Sequence, residues 1–280
     1  MIFCKVMGGL GNQLFQIFAT ISYALDIGQE FRLPYIICRG VYWDTFFLEL
    51  QKYIIHYQPE IEININEDKF NYVAFNNEID KSKNILLYGY FQSYKYFSHN
   101  FNKICEIIGL KNNIELFKNN LRLANSGQEY DFNNTISLHF RLGDYKYFPL
   151  YHPLITNNYY ITALNHIIDN TGINNYKVIY FGENLPEDKD IIEKNINNLR
   201  NIFPKLNFVK SITLPDYDEM LMMSFCNHNI LANSTFSWWG AYLNNNPNKI
   251  VTYPSLWFGD NLKNHDTSDL FKNDWIKINL

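Results

Sequence analysis

The chain has 280 residues, of which 47% are hydrophobic, 19% charged and 17% aromatic. This much apolar surface offsets chain entropy, so the composition excludes intrinsic disorder and fits one large or two smaller domains. The formal net charge is −4, without a run of Lys or Arg, which argues against nucleic acid as a partner. No apolar stretch approaches the roughly 20 residues of a membrane helix, so we predict no transmembrane segment and leave peripheral membrane contact open.

The first half of the chain opens with an apolar strand at residues 2–7, which enters a glycine-rich turn and a helix with apolar side chains at helical spacing. Residues 39–83 have poor periodicity and predict irregular structure with short helices. A buried strand is predicted at residues 85–90 and a helix at residues 97–109. The polar, Asn-rich segment 112–129 is the best candidate for a domain boundary.

The second half alternates strands and helices more clearly. Strands are predicted at residues 135–140, 177–181, 208–209, 230–232 and 249–253, and helices at residues 159–169, 187–201, 216–226 and 234–243. This alternation predicts parallel sheets with helices on both faces. We therefore expect an α/β protein with two Rossmann-like domains, at residues 1–130 and 131–255, and a C-terminal segment, residues 256–280, that returns to the first domain.

The cysteines are scattered along the chain at Cys4, Cys38, Cys105 and Cys226. Without a Cys-x-x-Cys pair, they argue against a zinc ribbon, a redox motif or a disulfide framework. The N-terminal strand runs directly into a glycine loop and has none of the features of a signal peptide. We expect reduced core cysteines in a cytoplasmic protein.

Ionisable residues and a glycine follow the predicted strand at 135–140. His139, Arg141 and Asp144 lie at its carboxyl end, where ligands bind in open parallel sheets, and strand alternation puts His139 and Arg141 on one face. A guanidinium there can bind a diphosphate with forked hydrogen bonds. The alternative is a structural Arg–Asp pair at the corner between strand and loop, and the pattern alone leaves both open.

Four polar residues connect the strand at 230–232 to the next helix, namely Asn233, Ser234, Thr235 and Ser237. A helix start offers unpaired N–H groups and a positive dipole end, to which Ser and Thr add donors, so this segment suits a phosphate. The alternative is that the hydroxyls are ordinary N-caps. In the same helix, Trp238 and Trp239 are predicted to be core residues rather than sugar platforms.

The glycine-rich turn near the N-terminus comprises Gly8, Gly9, Leu10, Gly11, Asn12 and Gln13. It lacks the register of a dinucleotide fingerprint and the Lys of a P-loop. Its glycines let the backbone approach a ligand, and two amide side chains stand at the helix start, so the turn can line a cleft. The alternative is a tight strand-to-helix turn.

Two Asp-x-Asp triplets, Asp188 to Asp190 and Asp216 to Asp218, are of the kind that holds a divalent cation. Each opens a predicted helix, where the helix dipole favours acidic residues in any case. The histidines share no ligand spacing. We therefore predict no metal site.

Four segments together resemble the α-1,2-fucosyltransferases of glycosyltransferase family 11. They are the turn at residues 8–13, Gly89-Tyr90-Phe91-Gln92, the His-x-Arg-x-Gly-Asp segment at 139–144 and the Asn-Ser-Thr-Phe-Ser-Trp-Trp-Gly-Ala-Tyr-Leu segment at 233–243. The resemblance implies a GT-B architecture, with two facing Rossmann-like domains, a cleft between them and GDP-fucose held mainly by the C-terminal one. It also implies an inverting, metal-independent galactoside 2-α-L-fucosyltransferase that needs no cofactor and acts on galactose-terminated glycans.

The resemblance further implies roles for individual residues. Arg141 is expected to hold the β-phosphate, with His139 near the guanine or ribose. The diphosphate is expected to meet the residues at the helix start, Asn233, Ser234, Thr235 and Ser237. Asp218, with Glu219 beside it, is the candidate for guanine recognition. Where this chain has Leu142 the family often has a second Arg, and its absence removes one cationic contact with the donor.

The acceptor side is expected to include Gly9, Gly11, Asn12, Gln13 and Tyr145. Asp144 is our first candidate for the base that deprotonates the acceptor hydroxyl, and the donor phosphate is the alternative. Aromatic residues in loops are also expected to stack on the acceptor sugar, namely Tyr42, Trp43, Phe46, Phe47 and Tyr147. The rivals are a transferase of the same fold with another GDP-sugar or linkage, and a non-catalytic carbohydrate-binding protein.

Overall fold

The computed structural model describes residues 1–35 and 40–279. In the described residues the strands are β1 (Ile2–Cys4), β2 (Phe31–Pro34), β3 (Ile54–Ile55), β4 (Ile63–Asn66), β5 (Ile85–Tyr88), β6 (Thr135–His139), β7 (Lys177–Phe181), β8 (Asn207–Lys210), β9 (His228–Ile230), β10 (Val251–Pro254) and β11 (Ile276–Ile278). The α-helices are α1 (Leu10–Ile27), α2 (Phe101–Ile107), α3 (Leu110–Ala124), α4 (Asn157–Thr171), α5 (Pro186–Ile202), α6 (Asp216–Ser224) and α7 (Thr235–Tyr242). None of these helices is long and apolar enough to cross a membrane.

The chain forms two compact units, each with its own parallel sheet. The first unit holds a parallel sheet with the order β3-β2-β1-β5-β4. In this order β1 lies between β2 and β5, so the chain changes its direction of travel across the sheet at β1. The apolar helix α1 follows β1 and is buried over most of its length, because nearly every turn carries Leu, Ile, Phe or Ala.

The second unit holds a parallel sheet with the order β11-β10-β9-β6-β7-β8. From β6 the chain adds β7 and β8 on one side and then β9, β10 and β11 on the other, which is the Rossmann strand order. Ile136, Leu138 and Val178 of the central strands pack with Tyr160 of α4 in one apolar core. The two parallel sheets with their helices confirm the predicted α/β class.

The division between the units differs from the predicted boundary at residue 130. The first unit comprises Met1–Leu116 and His265–Lys272, so the division falls within α3. The Asn-rich segment is helical because Phe117 and Leu121, one turn apart, are both buried, and the Phe117 ring lies 5.3 Å from that of Phe225.

The C-terminal segment also differs from the prediction that all of residues 256–280 returns to the first unit. Only His265–Lys272 belongs to that unit. Residues after it form β11, which pairs in parallel with β10 through Thr252 and Ile276, so the chain ends in the second unit.

Half of the 48 aromatic residues are buried. Trp238 and Trp239 are 0% exposed, which confirms their prediction as core residues. Trp43, Phe46 and Phe47 are at most 4% exposed, so the expectation that they stack on an acceptor is wrong. The cause is that these rings pack on one another in the core of the first unit, with Phe47 lying 5.5 Å from Phe46 and 5.8 Å from Trp43.

The described cysteines are unpaired. Cys4 and Cys226 are buried, whereas Cys105 is partly exposed. Burial raises the pKa of the Cys4 and Cys226 thiols to about 12, which keeps both protonated. Cys38 lies outside the described residues.

Candidate active site

Three loops meet at the carboxyl edge of the second sheet, because β6 lies between β7 and β9. The loop after β6 carries Arg141, Asp144 and Tyr145, the loop after β7 carries Glu183, and the loop after β9 leads into α7. The change in strand order occurs between β6 and β9. Open α/β sheets bind their ligands in the crevice at such a point.

Arg141 is held by two carboxylates. Its Nη1 pairs with Glu183 Oε1, and its Nη2 lies 2.5 Å from Asp144 Oδ1. The backbone N–H of Leu142 donates to Glu183 Oε2 at 3.1 Å, so this carboxylate also closes the turn after β6. The Arg–Asp pair considered as a structural alternative is therefore present, and the phosphate role of Arg141 stays a prediction.

Tyr145 links the loop after β6 to the loop after β9. Its ring centre lies 4.7 Å from the guanidinium carbon of Arg141, and His152 stacks on it at 4.4 Å. Its hydroxyl donates to the backbone oxygen of Asn233 at 3.2 Å. These contacts position Arg141, whereas stacking of Tyr145 on an acceptor sugar stays a prediction.

His139 ends β6 and is 6% exposed. Burial, reinforced by the charge of Arg141, lowers the pKa of its imidazole to about 3, so the ring is neutral near pH 7. Its ring lies 5.6 Å from that of Phe236 in α7. Within residues 1–35 and 40–279, Nδ1 of His139 is buried without a hydrogen-bond partner, which suits contact with a polar ligand atom and not proton donation by an imidazolium.

The start of α7 combines a cap with an unpaired acceptor. Ser234 is the N-cap, and its hydroxyl accepts from the backbone N–H of Phe236 at 3.3 Å. Ser237 is buried and donates to the Ser234 backbone oxygen, whereas Thr235 is partly exposed. Asn233 donates to the backbone oxygen of Pro153 at 2.9 Å, and its Oδ1 is buried with no partner in the described part of the chain.

The two acidic candidates for guanine recognition differ in their surroundings. Asp218 is 1% exposed and accepts from Asn120 Nδ2 at 2.8 Å. Glu219 is partly exposed and accepts from Ser211 at 3.3 Å. Burial raises the pKa of Glu219 to about 7, and the charge of Asp216 adds to this effect.

The Asp-x-Asp triplets are engaged by protein groups. Asp188 is 0% exposed, and its carboxylate lies 2.5 Å from Lys146 Nζ, which ties α5 to the loop after β6. Asp190 of the same triplet is exposed. No group of three His, Cys, Asp or Glu side chains suited to a metal ion occurs in the parts of the chain that the structure describes.

In the first unit, the glycine-rich turn meets the segment after β5 at the change in strand order. Gln92 donates to Asn12 Oδ1 at 3.0 Å. Gln13 is buried and donates to the backbone oxygens of Gly8 at 2.8 Å and Gly40 at 2.7 Å, so its amide NH₂ builds the turn.

The two glycines expected on the acceptor side differ in exposure. Gly9 is exposed, with open space where a Cβ would stand. Gly11, in the first turn of α1, is buried. The acceptor-side role of this turn stays a prediction.

Two residues of the Arg141 site were missed from the sequence, Glu183 and His152. The sequence offered one signal for Glu183: with Gly182 it directly follows the predicted strand at 177–181, just as Arg141 follows the predicted strand at 135–140. Leu142 is 5% exposed in the core of the second unit, so in this chain the position serves packing. The loss of one cationic contact with the donor at this position stays a prediction.

The profile of glycosyl transferase family 11 matches residues 50–279. The O-antigen biosynthesis glycosyltransferase WbnK of Escherichia coli is 36% identical over 52% of this chain, a match that spans only 45% of WbnK. An alpha-1,2-colitosyltransferase of Escherichia coli is 24% identical over 99% of this chain and 98% of its own length.

Among solved structures, a mutant of Arabidopsis thaliana FUT1 in complex with GDP has a TM-score of 0.50 at 9% identity, covering 90% of this chain and 70% of that one. This likeness concerns the fold alone and agrees with the predicted GT-B class. The family match covers most of the chain and includes the Arg141 and α7 segments. The chain belongs to glycosyl transferase family 11.

Proposed function

We propose that the protein is a galactoside 2-α-L-fucosyltransferase, which moves L-fucose from GDP-β-L-fucose to O2 of a terminal galactose. The observation that carries the proposal is that Tyr145 joins Arg141 to the start of α7 where the strand order changes in the second sheet, with its ring against Arg141 and its hydroxyl on Asn233. A guanidinium and a helix N-terminus are both groups that bind diphosphates. Membership of glycosyl transferase family 11 supplies the reaction class.

The proposed reaction is a single displacement with inversion. The acceptor oxygen attacks the anomeric carbon of fucose from the face opposite the diphosphate, the bond to the β-phosphate oxygen breaks, and its electron pair stays on GDP. Negative charge therefore grows on the leaving phosphate. Arg141 and the N–H groups that begin α7 offset this charge, so the proposed mechanism needs no metal ion.

The acceptor hydroxyl loses its proton as the new bond forms. Asp144 is the proposed base, because its carboxylate is 63% exposed and can turn from Arg141 toward an acceptor hydroxyl that approaches from the face opposite the diphosphate. The donor phosphate is the alternative. For guanine, Glu219 is a better candidate than Asp218, since its side chain is partly exposed, whereas Asp218 is 1% exposed and already accepts from Asn120.

A second donor is supported by the relative that aligns over nearly the whole chain, an alpha-1,2-colitosyltransferase. Colitose is fucose without the 3-hydroxyl, so both donors present the same diphosphate and the same anomeric carbon. If the site leaves the 3-hydroxyl of fucose without a partner, fucose loses affinity. If the site hydrogen-bonds this hydroxyl, it rejects the deoxy sugar colitose. The choice between them thus depends on a single hydroxyl.

Transfer is tested with lactose and N-acetyllactosamine as acceptors and with GDP-fucose, GDP-colitose and GDP-mannose as donors. We expect GDP-fucose to give the highest kcat/KM, an α-1,2 linkage in the product by NMR, and an unchanged rate in EDTA. A higher kcat/KM with GDP-colitose would show that GDP-colitose, not GDP-fucose, is the preferred donor. A strict Mn²⁺ requirement would contradict the proposed mechanism. Glycan binding without affinity for GDP would instead indicate a carbohydrate-binding protein.

A further inference from the structure

The two carboxylates on Arg141 differ in how firmly they are held. The Glu183 side chain is 21% exposed, and its second oxygen accepts the Leu142 N–H at 3.1 Å. A Cβ on Gly143 would lie 3.0 Å from Glu183 Oε1, so the turn closes tightly around this carboxylate. The Asp144 side chain is 63% exposed on a short 3₁₀ turn. Glu183 is therefore fixed in the turn, whereas Asp144 contacts Arg141 from a solvent-exposed position.

The charge balance around Arg141 disfavours the binding of a further anion while both carboxylates stay paired with it. Arg141 carries one positive charge and already faces two negative ones. A diphosphate adds at least two more, and like charges at contact distance repel one another strongly in a partly buried site. The exposed pair of Arg141 with Asp144 is weaker than its pair with Glu183, so it is the one that a stronger ligand displaces.

We propose that Arg141 exchanges Asp144 for the diphosphate of the donor, while Glu183 stays bound as a positioning residue. The inference rests on the proposed function only in that the ligand is a nucleoside diphosphate. After the exchange, the Asp144 carboxylate is free beside the reacting sugar only when the donor is present. Donor binding thus releases the group that is proposed to deprotonate the acceptor.

Binding of GDP, measured by calorimetry without any acceptor, separates the two carboxylates. Asp144→Asn removes the competitor for Arg141, so we expect GDP to bind about two- to fivefold tighter, the range of an exposed ion pair. Glu183→Gln loosens the anchor, and we expect GDP to bind about 10- to 100-fold more weakly, as for a lost hydrogen bond to a charged group.

The control is Glu187→Gln, which removes one negative charge from the same segment after β7. Glu187 is 57% exposed and pairs with Lys146, not with Arg141. We expect its affinity for GDP to stay within about twofold of the unmodified chain. Circular dichroism of each variant establishes that it is folded. Glu183→Asp, which keeps the charge and shortens the arm, replaces Glu183→Gln if that variant unfolds, with weaker binding again expected.

Equal or weaker binding of GDP by Asp144→Asn would overturn the exchange. Equal or tighter binding by a folded Glu183 variant would show that Glu183 only repels the ligand and does not anchor Arg141. GDP, UDP and ADP are compared on the unmodified chain, and the variants are tested with whichever binds. A preference for UDP or ADP would contradict the proposed donor while leaving the exchange testable, and binding of none would contradict both.

Discussion

Two buried histidines in the second unit are neutral for the same reason but are bonded differently. His228 is 6% exposed, with Nδ1 accepting from the Ile250 N–H at 3.0 Å and Nε2 3.0 Å from the Tyr176 hydroxyl. Because Nδ1 accepts, Nε2 carries the proton and donates to Tyr176. Burial lowers the pKa of His228 to about 4 and that of His139 to about 3, from the ordinary value of 6.5.

These lowered pKa values predict a loss of stability in mild acid. Between pH 6.5 and about 4 the unfolded chain binds protons at His228 that the folded chain does not. The free energy of unfolding therefore falls as pH falls, by at most about 1.4 kcal/mol per pH unit for each histidine. Above pH 6.5 the unfolded chain also loses its protons at these histidines, so the effect fades as pH rises further.

We expect His228→Gln to make the fall of the unfolding free energy with pH shallower in this window, by the equivalent of up to one proton bound on unfolding. The substitution also lowers stability at pH 7, because it disturbs a buried hydrogen bond. Urea unfolding at intervals from pH 7 to 4.5 measures the slope. His166→Gln, at a site on α4 that is not buried, is the matched control. The same slope in His228→Gln as in the unmodified chain would contradict the account.

At the scale of elements, α7 is held by its cap and by its packing on α6. A Cβ on Gly240 would lie 2.7 Å from the Cβ of Met223, so only glycine allows these two helices to approach so closely. Ser234 caps the other end of α7 through the Phe236 N–H. The helix start is thus fixed in place before any ligand arrives.

Two substitutions of Ser234 separate capping from ligand binding. Ser234→Ala removes the cap and should destabilise the protein by about 1 kcal/mol. Ser234→Asp keeps a capping oxygen but places a negative charge at the proposed diphosphate site, so stability should hold while GDP affinity falls by about tenfold or more. Thermal unfolding and calorimetry measure the two effects. Undiminished affinity for GDP in Ser234→Asp would argue against a diphosphate at this helix start.

The elements that the sequence predicts best are those with a strong apolar pattern. The predicted strand at 177–181 coincides with β7, which is a continuous apolar run buried on both faces. The predicted helix at 187–201 lies within α5, which buries one apolar face. By contrast, β4 alternates Ile with Asn at a half-exposed sheet edge, and α3 has four Asn among its 15 residues. In both elements the short apolar pattern was present but was outweighed by polar composition.

At the scale of the whole molecule, the site is predictable only where it follows the order of residues along the chain. Arg141 and the start of α7 each follow a predicted strand, so their position at a carboxyl edge could be inferred. Glu183 and the Lys146–Asp188 pair depend on β7 lying beside β6, which is a long-range pairing. Gln13 likewise has a partner distant along the chain, because its amide NH₂ donates to the backbone oxygen of Gly40 as well as to that of Gly8 in its own turn.

The leaving diphosphate gives the reaction its greatest need for stabilisation, and Arg141 is the group proposed to meet it. Arg141→Lys keeps a positive charge but loses the fork that bonds Glu183 and phosphate oxygens together. Arg200→Lys is the control, since Arg200 lies on α5 and pairs with Glu193. Both variants are compared with the unmodified chain for transfer from GDP-fucose to lactose.

The decisive measurement is kcat/KM for GDP-fucose in Arg141→Lys at saturating lactose. We predict a loss of about 10²- to 10³-fold, the effect of removing one preorganised donor from a developing oxyanion, with the Arg200→Lys value unchanged within about twofold. A folded Arg141→Lys protein that retains kcat/KM within about threefold of the unmodified chain would contradict the role of Arg141, and with it the proposed mechanism.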